Sequence, residues 1–453
     1  MEGRKSVQAT IVLFGGTGDL TKRKLVPAFA NLAHQGIINR ESTLIGIGRK
    51  NFDDSTYKKF LIDSISDEKE KEHIKEMNIK FFRGDLSKPE ELSGLKEMLQ
   101  FCEGPECNRI YYLATSFKFF PAIVKELKKY HMLAQKDGFT RIVFEKPFGE
   151  DLKSSNKLDK EIHKVFPEEN IYRIDHYLAK DTVQNLNVLK FTNPIMHSTL
   201  NNKYVKGIDI IAYENLGVAN RLEYYNDSGA VKDMIQSHLL QMLALLLMQR
   251  PKKFEQKDIH DEKVKILKNL EITKEEDYLF GQYESYKKEL QDSGLPDKQT
   301  ETFASVMLNC KTKDWNGVKI RLRTGRKLEK KIGKIIISFK DEEMPGWEGL
   351  ANNKVVINIF PHQDIEILMN AKDARKTNHI SPVNFVFSHE KHFGPNTINE
   401  YAALLEEVLK GDKTLFTRTD ELRESWKIVE EIEKLKGKST LVSYKDGEDG
   451  DKI

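Results

Sequence analysis

The sequence predicts an α/β domain with a parallel sheet, followed by a larger α+β domain with a mostly antiparallel sheet. In the first third of the chain, short apolar runs alternate with amphipathic stretches. In the second half, several strands follow one another without helices between them, which is typical of a mixed or antiparallel sheet. The 453 residues fit two or three domains. We expect an α/β domain over 1–174 and an α+β domain over 175–453.

The elements of the first domain are predicted from apolar runs and the stretches between them. The predicted strands are Gln8–Phe14, Thr43–Ile47, Asn78–Phe82, Arg109–Leu113 and Arg141–Phe144, and a helix over Thr21–Gln35 follows the first strand. Continuous apolar strands that alternate with helices are typical of a parallel sheet covered on both faces.

The second domain is predicted to mix helices with alternating strands. The predicted helices lie near 180–190, 230–249, 396–410 and 418–436, and the predicted strands are Lys206–Tyr213, Val318–Arg323, Lys334–Phe339, Val355–Phe360 and Asn384–Ser388. The polar chain end, Lys445–Ile453, is expected to be frayed.

Composition excludes several classes of protein. The chain has 73 Lys and Arg against 70 Asp and Glu, a net charge of +3, which gives no general attraction to nucleic acid. The apolar run Leu239–Met248 is too short to span a bilayer, and the first ten residues lack the apolar core of a secretory signal. Cys102, Cys107 and Cys310 are too few for a disulfide framework or a structural zinc site. We expect a cytoplasmic protein with no metal site and no membrane or nucleic-acid partner.

A glycine-rich turn follows the first predicted strand and opens the first helix. It reads Gly-Gly-Thr-Gly-Asp-Leu over residues 15–20. Glycine lets backbone N–H groups approach a pyrophosphate, and the helix N-terminus favours negative charge. The spacing G-x-x-G departs from the standard G-x-G-x-x-G, so a Rossmann-type coenzyme site and a simple tight turn both remain open.

The second predicted strand is followed by Arg49 and Lys50. At this position an acidic residue would hold the ribose hydroxyl of NAD, whereas a basic residue suits the 2′-phosphate of NADP. The pair favours NADP, and a basic pair on the surface without function is the alternative.

The segment at 171–180, IYRIDHYLAK, is the densest in chemically useful side chains. His176 and Lys180 are four residues apart, which predicts one helical face and a cationic pair suited to a phosphate dianion. Asp175 either orients a catalytic imidazole or caps the following helix.

Two further candidates lie outside this segment. His238 stands where a predicted helix passes from polar to apolar, so it is either a cleft residue or a hydrogen-bonded core histidine. Lys146 directly follows the fifth predicted strand, and the carboxyl ends of parallel strands are where α/β sheets bind ligands.

Together these motifs resemble the glucose-6-phosphate dehydrogenase family. The matching segments are GGTGDLTKRKLVPA, RIVFEKPFGEDL, YRIDHYLAKDTVQNL, SGAVKDMIQSHLLQML, RLRTGRKL and TRTDELRESW, in order from about residue 11 to about residue 427. The resemblance implies oxidation of glucose 6-phosphate at C1 to 6-phosphogluconolactone with NADP, the first step of the oxidative pentose phosphate pathway. It also implies a homodimer or homotetramer, with a dimer formed through the sheet of the second domain.

The resemblance also implies a role for each candidate residue. His238 matches the general base, and Asp175 matches the carboxylate that holds it. The implied substrate residues are Lys146, His176, Tyr177, Lys180, Glu214, Asp233, Arg326 and Lys331, with the phosphate at His176, Tyr177 and Lys180 and the sugar hydroxyls at Glu214 and Asp233. The implied coenzyme residues are Gly15, Gly18, Asp19, Leu20, Arg49 and Lys146.

Several positions depart from the usual family pattern. Thr21 and Ala179 replace a usual alanine and glycine, Arg326 replaces a lysine, Leu222-Glu223 replaces a glycine pair, and Ser116 replaces a proline. Arginine and lysine differ in shape and hydration, so Arg326 bears on substrate affinity. Two other functions stay open: a dehydrogenase that uses another hexose phosphate or prefers NAD, and a non-catalytic NADP-binding sensor.

Overall fold

The computed structural model describes residues 6–102, 108–133, 137–273, 278–394 and 399–453. The chain divides into two compact units. Unit 1 comprises Met1–Ala179 with Ile398–Thr419, and unit 2 comprises Lys180–Thr397 with Asp420–Ile453. The sequence predicts a single boundary after residue 174, whereas in the structure the chain enters unit 2 at Lys180 and residues 398–419 belong to unit 1 again.

The described part of unit 1 contains a six-stranded parallel sheet. Its strands are β1 (Ala9–Phe14), β2 (Thr43–Gly48), β3 (Asn78–Arg83), β4 (Asn108–Leu113), β5 (Thr140–Phe144) and β6 (Ile171–Arg173), in the order β3-β2-β1-β4-β5-β6. The predicted parallel sheet is confirmed. Strand β6 was not predicted, because three residues are too short a run to show periodicity. Successive strands are added on one side of β1 up to β3 and on its other side from β4 onward. This makes the gap between β1 and β4 the topological switch point, where open α/β sheets bind ligands.

Helices and short 3₁₀ turns cover the sheet of unit 1. The α-helices are Val26–His34, Asp54–Ile62, Glu68–Glu76, Leu95–Cys102, Phe120–Lys129, Leu152–His163 and Glu400–Lys410, with a π-helical turn at Thr21–Leu25 and 3₁₀ turns at Pro89–Gly94, Phe117–Phe119 and Glu168–Asn170. Helix Glu400–Lys410 belongs to this unit because its apolar side chains, including Leu404, Leu405 and Val408, are buried in the same core as β1. Burial of one such side chain contributes about 1.5–3 kcal/mol.

The described part of unit 2 contains a ten-stranded mixed sheet. Its strands are β7 (Val205–Tyr213), β8 (Leu270–Ile272), β9 (Leu279–Tyr283), β10 (Phe303–Cys310), β11 (Lys319–Gly325), β12 (Ile332–Phe339), β13 (Lys354–Phe360), β14 (Asp364–Lys372), β15 (Ile380–Ser388) and β16 (Val442–Tyr444). The order is β15-β14-β13-β12-β7-β11-β10-β9-β16, with β8 paired to β10. The β7/β11 and β9/β16 pairs are parallel and the other pairs are antiparallel, which confirms the mostly antiparallel prediction.

The helices of unit 2 complete the α+β arrangement. They are Asp181–Thr192, Pro194–Thr199, Leu222–Ala230, Leu240–Leu247, Gln256–Lys268, Tyr286–Asp292, His389–Phe393 and Thr419–Lys436, with a π-helix at Val231–Leu239 and a 3₁₀ turn at Ala219–Arg221. In the described ranges of the chain, no helix has the length and apolar character needed to cross a membrane.

The end of the chain is packed against the sheet of unit 2, so the expectation that it is frayed was wrong. The Tyr213 hydroxyl donates a hydrogen bond to the Gly450 carbonyl oxygen at 3.0 Å, and Arg323 lies 2.7 Å from Asp451. These partners are distant in sequence, which is why local polarity did not reveal them.

Candidate active site

The first two residues of the turn after β1 must be glycines, because the backbone of neighbouring strands lies too close for a side chain. Gly15 has a φ of +88°, and a Cβ added there would lie 2.4 Å from the carbonyl oxygen of Ala114, just past β4. Gly16 donates its N–H to the Ile47 carbonyl oxygen at 2.8 Å, and a Cβ there would lie 2.7 Å from the Cα of Gly46. The turn is therefore pressed against the carboxyl ends of β2 and β4.

The helix after this turn begins at Asp19 and includes Leu20, then runs through a π-helical turn into Val26–His34. Gly18 donates its N–H to the Gly15 carbonyl oxygen at 2.9 Å, and the buried Thr21 hydroxyl donates to the same oxygen at 2.9 Å. The first turn of any helix has N–H groups without intrahelical partners. A glycine turn and a helix start at the switch point of a parallel sheet fit the pyrophosphate of a dinucleotide.

Basic side chains surround the carboxyl end of β2. Arg49 is exposed, and hydrogen bonds from Ser87, followed by the charges of Arg49 and Lys88, lower the pKa of the Asp85 carboxyl. The Nζ atoms of Lys50 and Lys22 lie 5.1 and 5.0 Å from the centre of the Phe60 ring. Arg49 and Lys50 were predicted from the sequence. Lys22 was not, because its closeness to Lys50 depends on where the Phe60 ring packs.

Buried contacts hold the turn that carries Lys146 at the end of β5. The Tyr112 hydroxyl donates to Glu145 Oε1 at 2.5 Å, and burial raises the pKa of Glu145 to about 7. Gly149 has a φ of +93°, and a Cβ there would lie 2.7 Å from the Ser155 backbone. The backbone on both sides of Lys146 is therefore closely constrained.

The structure contradicts the prediction that His176 and Lys180 share a helical face. Residues 176–179 form a turn, and the helix begins only at Asp181, with Lys180 as its N-cap residue. The buried Asp175 carboxylate accepts the N–H of Tyr177 at 3.1 Å, and its carbonyl oxygen accepts the N–H of Leu178 at 3.0 Å. Aspartate commonly bonds its own backbone two residues on, in competition with a helix.

The boundary between the two units falls within the segment 171–180. Asp175, His176 and Tyr177 belong to unit 1, whereas Lys180 belongs to unit 2. Tyr177 is buried, and the centres of the His176 and Tyr177 rings lie 5.1 Å apart. The suggestion that Asp175 caps the following helix was also wrong, since that position is occupied by Lys180.

In unit 2, three predicted substrate residues lie at one edge of the sheet. Tyr213, the last residue of β7, pairs with Gly325 at the end of β11 and with Ile332 at the start of β12. The residues adjoining these strand ends are Glu214 after β7, Arg326 after β11 and Lys331 before β12. Glu214 donates its N–H to the Gly325 carbonyl oxygen at 2.9 Å, and its carboxylate lies 3.2 Å from Lys331 Nζ.

Two cations of unit 2 converge on one aromatic ring. Lys180 Nζ and Lys331 Nζ lie 5.5 and 5.8 Å from the centre of the Phe360 ring, at the end of β13. Phe360 was not predicted as a site residue, because only the convergence of two lysines that are distant in sequence distinguishes it. Two ammonium groups so placed fit a dianion such as a phosphate.

Arg326 pairs directly with Asp233. Its Nη2 atom donates to Asp233 Oδ2 at 2.8 Å, and Arg221 Nη2 lies 3.7 Å from Oδ1. The Asp233 side chain is only 5% exposed. The arginine that departs from the usual family lysine therefore supports a carboxylate predicted to bind the sugar.

Asp233 and His238 lie on a π-helix, where the sequence predicts only a helix over 230–249. Helix Leu222–Ala230 breaks at Gly229, and residues Val231–Leu239 then follow the π-helical pattern. In an α-helix, residues five apart differ by about 0.4 of a turn. The i→i+5 bonding of a π-helix instead brings such residues to nearly the same side, and this geometry is frequent at functional sites. His238 is buried at 2% exposure.

Among the described residues, no group of three or more His, Cys, Asp or Glu side chains could hold a metal ion. Cys102 is partly exposed and Cys310 is buried, and neither forms a disulfide bond. Cys107 lies outside the described residues.

Comparison with known proteins gives matches over nearly the whole chain. The family model described as Glucose-6-phosphate dehydrogenase, NAD binding domain matches residues 12–185, and that described as Glucose-6-phosphate dehydrogenase, C-terminal domain matches residues 187–453. The glucose-6-phosphate 1-dehydrogenase of Bacillus subtilis is 37% identical over 477 residues, covering 100% of this chain and 97% of that protein. That of Borreliella burgdorferi is 35% identical over 469 residues, with the same coverage.

A solved structure gives a match of the same extent. It is a glucose-6-phosphate dehydrogenase in complex with its substrate glucose-6-phosphate, with a TM-score of 0.91 at 28% identity. The match covers 99% of this chain and 96% of that one.

Proposed function

The chain belongs to the glucose-6-phosphate dehydrogenase family, and from this premise we propose which of its residues carry out the family's reaction. The activity is that of a glucose-6-phosphate 1-dehydrogenase, an NADP-dependent oxidoreductase of the pentose phosphate pathway. Glucose 6-phosphate is oxidised at C1 to 6-phosphogluconolactone. NADP, when bound, supplies the acceptor for the hydride that leaves C1.

His238 is the general base that takes the proton from the C1 hydroxyl. An imidazole suits this role because its ordinary pKa is about 6.5, close to neutral pH. Burial at 2% exposure keeps the ring away from bulk water. Asp175 has the role that the resemblance implies, as the carboxylate that orients the base and favours the imidazolium.

Lys180 and Lys331 bind the substrate phosphate, and their convergence on Phe360 is the single observation that supports this assignment most strongly. His176 and Tyr177 are assigned to the same phosphate by the family motif. A bound phosphate supplies remote binding energy that orients C1 for reaction. Free glucose lacks this group and is therefore expected to be a poor substrate.

Glu214 and Asp233 accept hydrogen bonds from the sugar hydroxyls. The Arg326 guanidinium lies 2.8 Å from the Asp233 carboxylate, and the Lys331 ammonium lies 3.2 Å from that of Glu214, so each carboxylate has a cation beside it. A site built to bond a hydroxyl discriminates strongly against an analogue that lacks it.

The glycine turn and the basic edge of β2 bind the coenzyme. Gly15 and Gly18, with the helix start at Asp19 and Leu20, take the pyrophosphate. Arg49 takes the 2′-phosphate and so favours NADP, with Lys50 and Lys22 adding positive charge around Phe60. Lys146, in the turn after β5, is assigned to the substrate and the coenzyme by the family motif.

The protein forms a homodimer through the outer strands of the unit 2 sheet. Strand β15 lies at the end of the strand order and exposes Val383, Phe385, Val386 and Phe387, with Phe385 and Val386 each 58% exposed. Contiguous exposed apolar side chains of this kind are typical of protein interfaces. Light scattering should give the mass of a dimer, and Phe385→Asp should shift it to that of the monomer. A tetrameric mass would mean that a second interface exists.

The protein is cytoplasmic, and this proposal is supported by the two described cysteines, neither of which forms a disulfide bond. Cell fractionation with an antibody against the protein tests this. Recovery from an oxidising compartment would contradict the proposal.

The first experiment measures reduction of NADP or NAD by absorbance. Glucose 6-phosphate is compared with free glucose and galactose 6-phosphate. Fast reduction only with glucose 6-phosphate and NADP supports the phosphate and Arg49 assignments together. Fast reduction with NAD alone contradicts the Arg49 assignment, and equal rates with free glucose contradict the phosphate assignment. NADP binding without turnover of any sugar would favour the alternative function, a non-catalytic NADP-binding sensor.

A further inference from the structure

The helix that carries His238 begins at a sharp kink that depends on one glycine. Gly229 has a φ of 64° and a ψ of −178° between helix Leu222–Ala230 and the π-helix Val231–Leu239. A Cβ added at this position would lie 2.3 Å from Oε1 of Glu301. The Glu301 carboxylate thus fills the space that any other side chain at residue 229 would need.

Glu301 bonds the backbone on the π-helical side of the kink. Its carbonyl oxygen accepts the N–H of Ala230 at 3.0 Å, and its Oε1 accepts the N–H of Val231 at 3.0 Å. The N–H groups at a helix start have no partners within the helix. Glu301 therefore caps the π-helix from a distant position in the sequence.

The carboxylate of Glu301 is itself held in place. Its second oxygen lies 2.8 Å from Lys436 Nζ, and the Glu301 side chain is fully buried. The next residue, Thr302, accepts the backbone N–H of Arg326 at 2.9 Å on its carbonyl oxygen. Two consecutive residues thus fix the start of the π-helix and the backbone of the arginine that pairs with Asp233.

We propose that Glu301 is a positioning residue for the reaction: it fixes where the π-helix starts and thereby holds Asp233 and His238 on the same side of that helix. Glu301 does not touch the substrate and acts through the backbone of Ala230 and Val231. The inference rests on the proposed role of His238 as the base. A buried ion pair that serves only folding is the competing explanation.

The decisive comparison is between Glu301→Gln and Glu301→Asp. Glutamine keeps the length and the oxygen that accepts the Val231 N–H, and Lys436 retains Glu433 at 2.7 Å as a partner. Aspartate keeps the charge but is one methylene too short. We expect Glu301→Gln to keep kcat within a few-fold of wild type and Glu301→Asp to lower it by about 10- to 100-fold, since a displacement near 1 Å can cost about 10²-fold.

The pH profile of kcat separates positioning from folding. In Glu301→Asp the acidic limb, which reports the base, should move, whereas in Glu301→Gln it should stay at the wild-type position. NADPH binding, followed by its fluorescence, should be unchanged in both variants, because the coenzyme residues belong to unit 1. Circular dichroism confirms that the proteins compared are folded.

Glu421 provides a matched control. It is also a fully buried glutamate of unit 2 and lies 2.9 Å from the buried Lys263. Glu421→Gln and Glu421→Asp should lower the melting temperature of the protein, while kcat and its pH profile stay at the wild-type values. A fall in kcat of the same size in the Glu421 variants would overturn the proposal.

The results of these experiments test the positioning role of Glu301 separately from the role of His238 as the base. Wild-type kcat and pH profile in folded Glu301→Asp, or equal losses in Glu301→Gln and Glu301→Asp, overturn the positioning role. If Glu301→Asp does not fold, a loss of kcat in folded Glu301→Gln overturns the proposal, and retained kcat supports it. Normal turnover in His238→Asn contradicts the base assignment independently.

Discussion

A buried lysine in unit 2 makes the stability of the protein dependent on pH. Lys190 is 5% exposed, and its Nζ donates to the carbonyl oxygens of Leu246 and Met248 at 2.7 Å each. Trp315 donates its indole N–H to the Leu247 carbonyl oxygen at 2.8 Å. These side chains satisfy the C-terminal carbonyls of helix Leu240–Leu247, which continues the π-helix that carries His238.

Burial lowers the pKa of Lys190 from 10.5 to about 7, although the charge of Asp314 opposes the shift. Between about pH 7 and 10, the unfolded chain holds a proton on this lysine and the folded chain does not. Stability therefore rises with pH in this window, by about 1.36 kcal/mol per pH unit. Below pH 7 both states are protonated, and the destabilisation is constant, on the order of 5 kcal/mol.

The test replaces Lys190 by methionine, which keeps the apolar length and removes the titrating group. Urea midpoints are measured for wild type and Lys190→Met at intervals from pH 6 to 10. The free energy of unfolding of wild type relative to Lys190→Met should be constant below pH 7. It should then increase by about 1.4 kcal/mol per pH unit above it.

Lys203→Met is the matched control, since Lys203 is an exposed lysine whose Nζ lies 4.9 Å from the Tyr204 ring. Its stability relative to wild type should not change over the same pH range. Parallel pH curves for wild type and Lys190→Met would refute the reasoning, because they would mean that Lys190 keeps its proton in the folded protein.

Three further predictions concern the proposed site. His238→Asn should lower kcat by about 10²–10⁴-fold with little change in the affinity for glucose 6-phosphate, measured by steady-state kinetics and ligand titration. Lys331→Ala should weaken binding of glucose 6-phosphate by about 10- to 150-fold, which corresponds to the loss of one charge-assisted hydrogen bond. Lys330→Ala, a substitution at the exposed neighbouring residue, should leave this binding unchanged. Arg49→Ala should raise KM for NADP and leave KM for NAD unchanged, while Arg40→Ala, at an exposed arginine paired with Glu76, should change neither.

Local sequence patterns were sufficient for the parallel sheet and the glycine turn. Strand β1 is apolar apart from Thr10 and is buried over its whole length. The turn at Gly15 combines a left-handed backbone with close contact, which only glycine accommodates, so residue type indicates both features. The motif segments likewise pointed to the family before any geometry was known. The residue roles drawn from those motifs stay predictions until the experiments above are made.

Features that depend on distant partners could not be predicted from local patterns. A helical period was the reasonable interpretation of 176–180, but the Asp175 side chain holds a turn there. The apolar periodicity of residues 230–249 fits an ordinary helix, whereas the kink at Gly229 is held by Glu301, more than 70 positions away along the chain.

The same limit applies to larger elements. Helix Glu400–Lys410 was predicted as a helix, but its membership of unit 1 depends on which core buries its apolar face. Lys180 and Lys331 were both candidates, yet their convergence on Phe360 depends on two long-range contacts. The pairing of β12 with β13 brings Lys331 close to Phe360, and the packing of helix Asp181–Thr192 against β13 does the same for Lys180. Residue type and spacing set the local backbone and the chemistry available to it. Long-range packing sets which side chains meet, because the free energy of burial is gained only against partners that the rest of the chain provides.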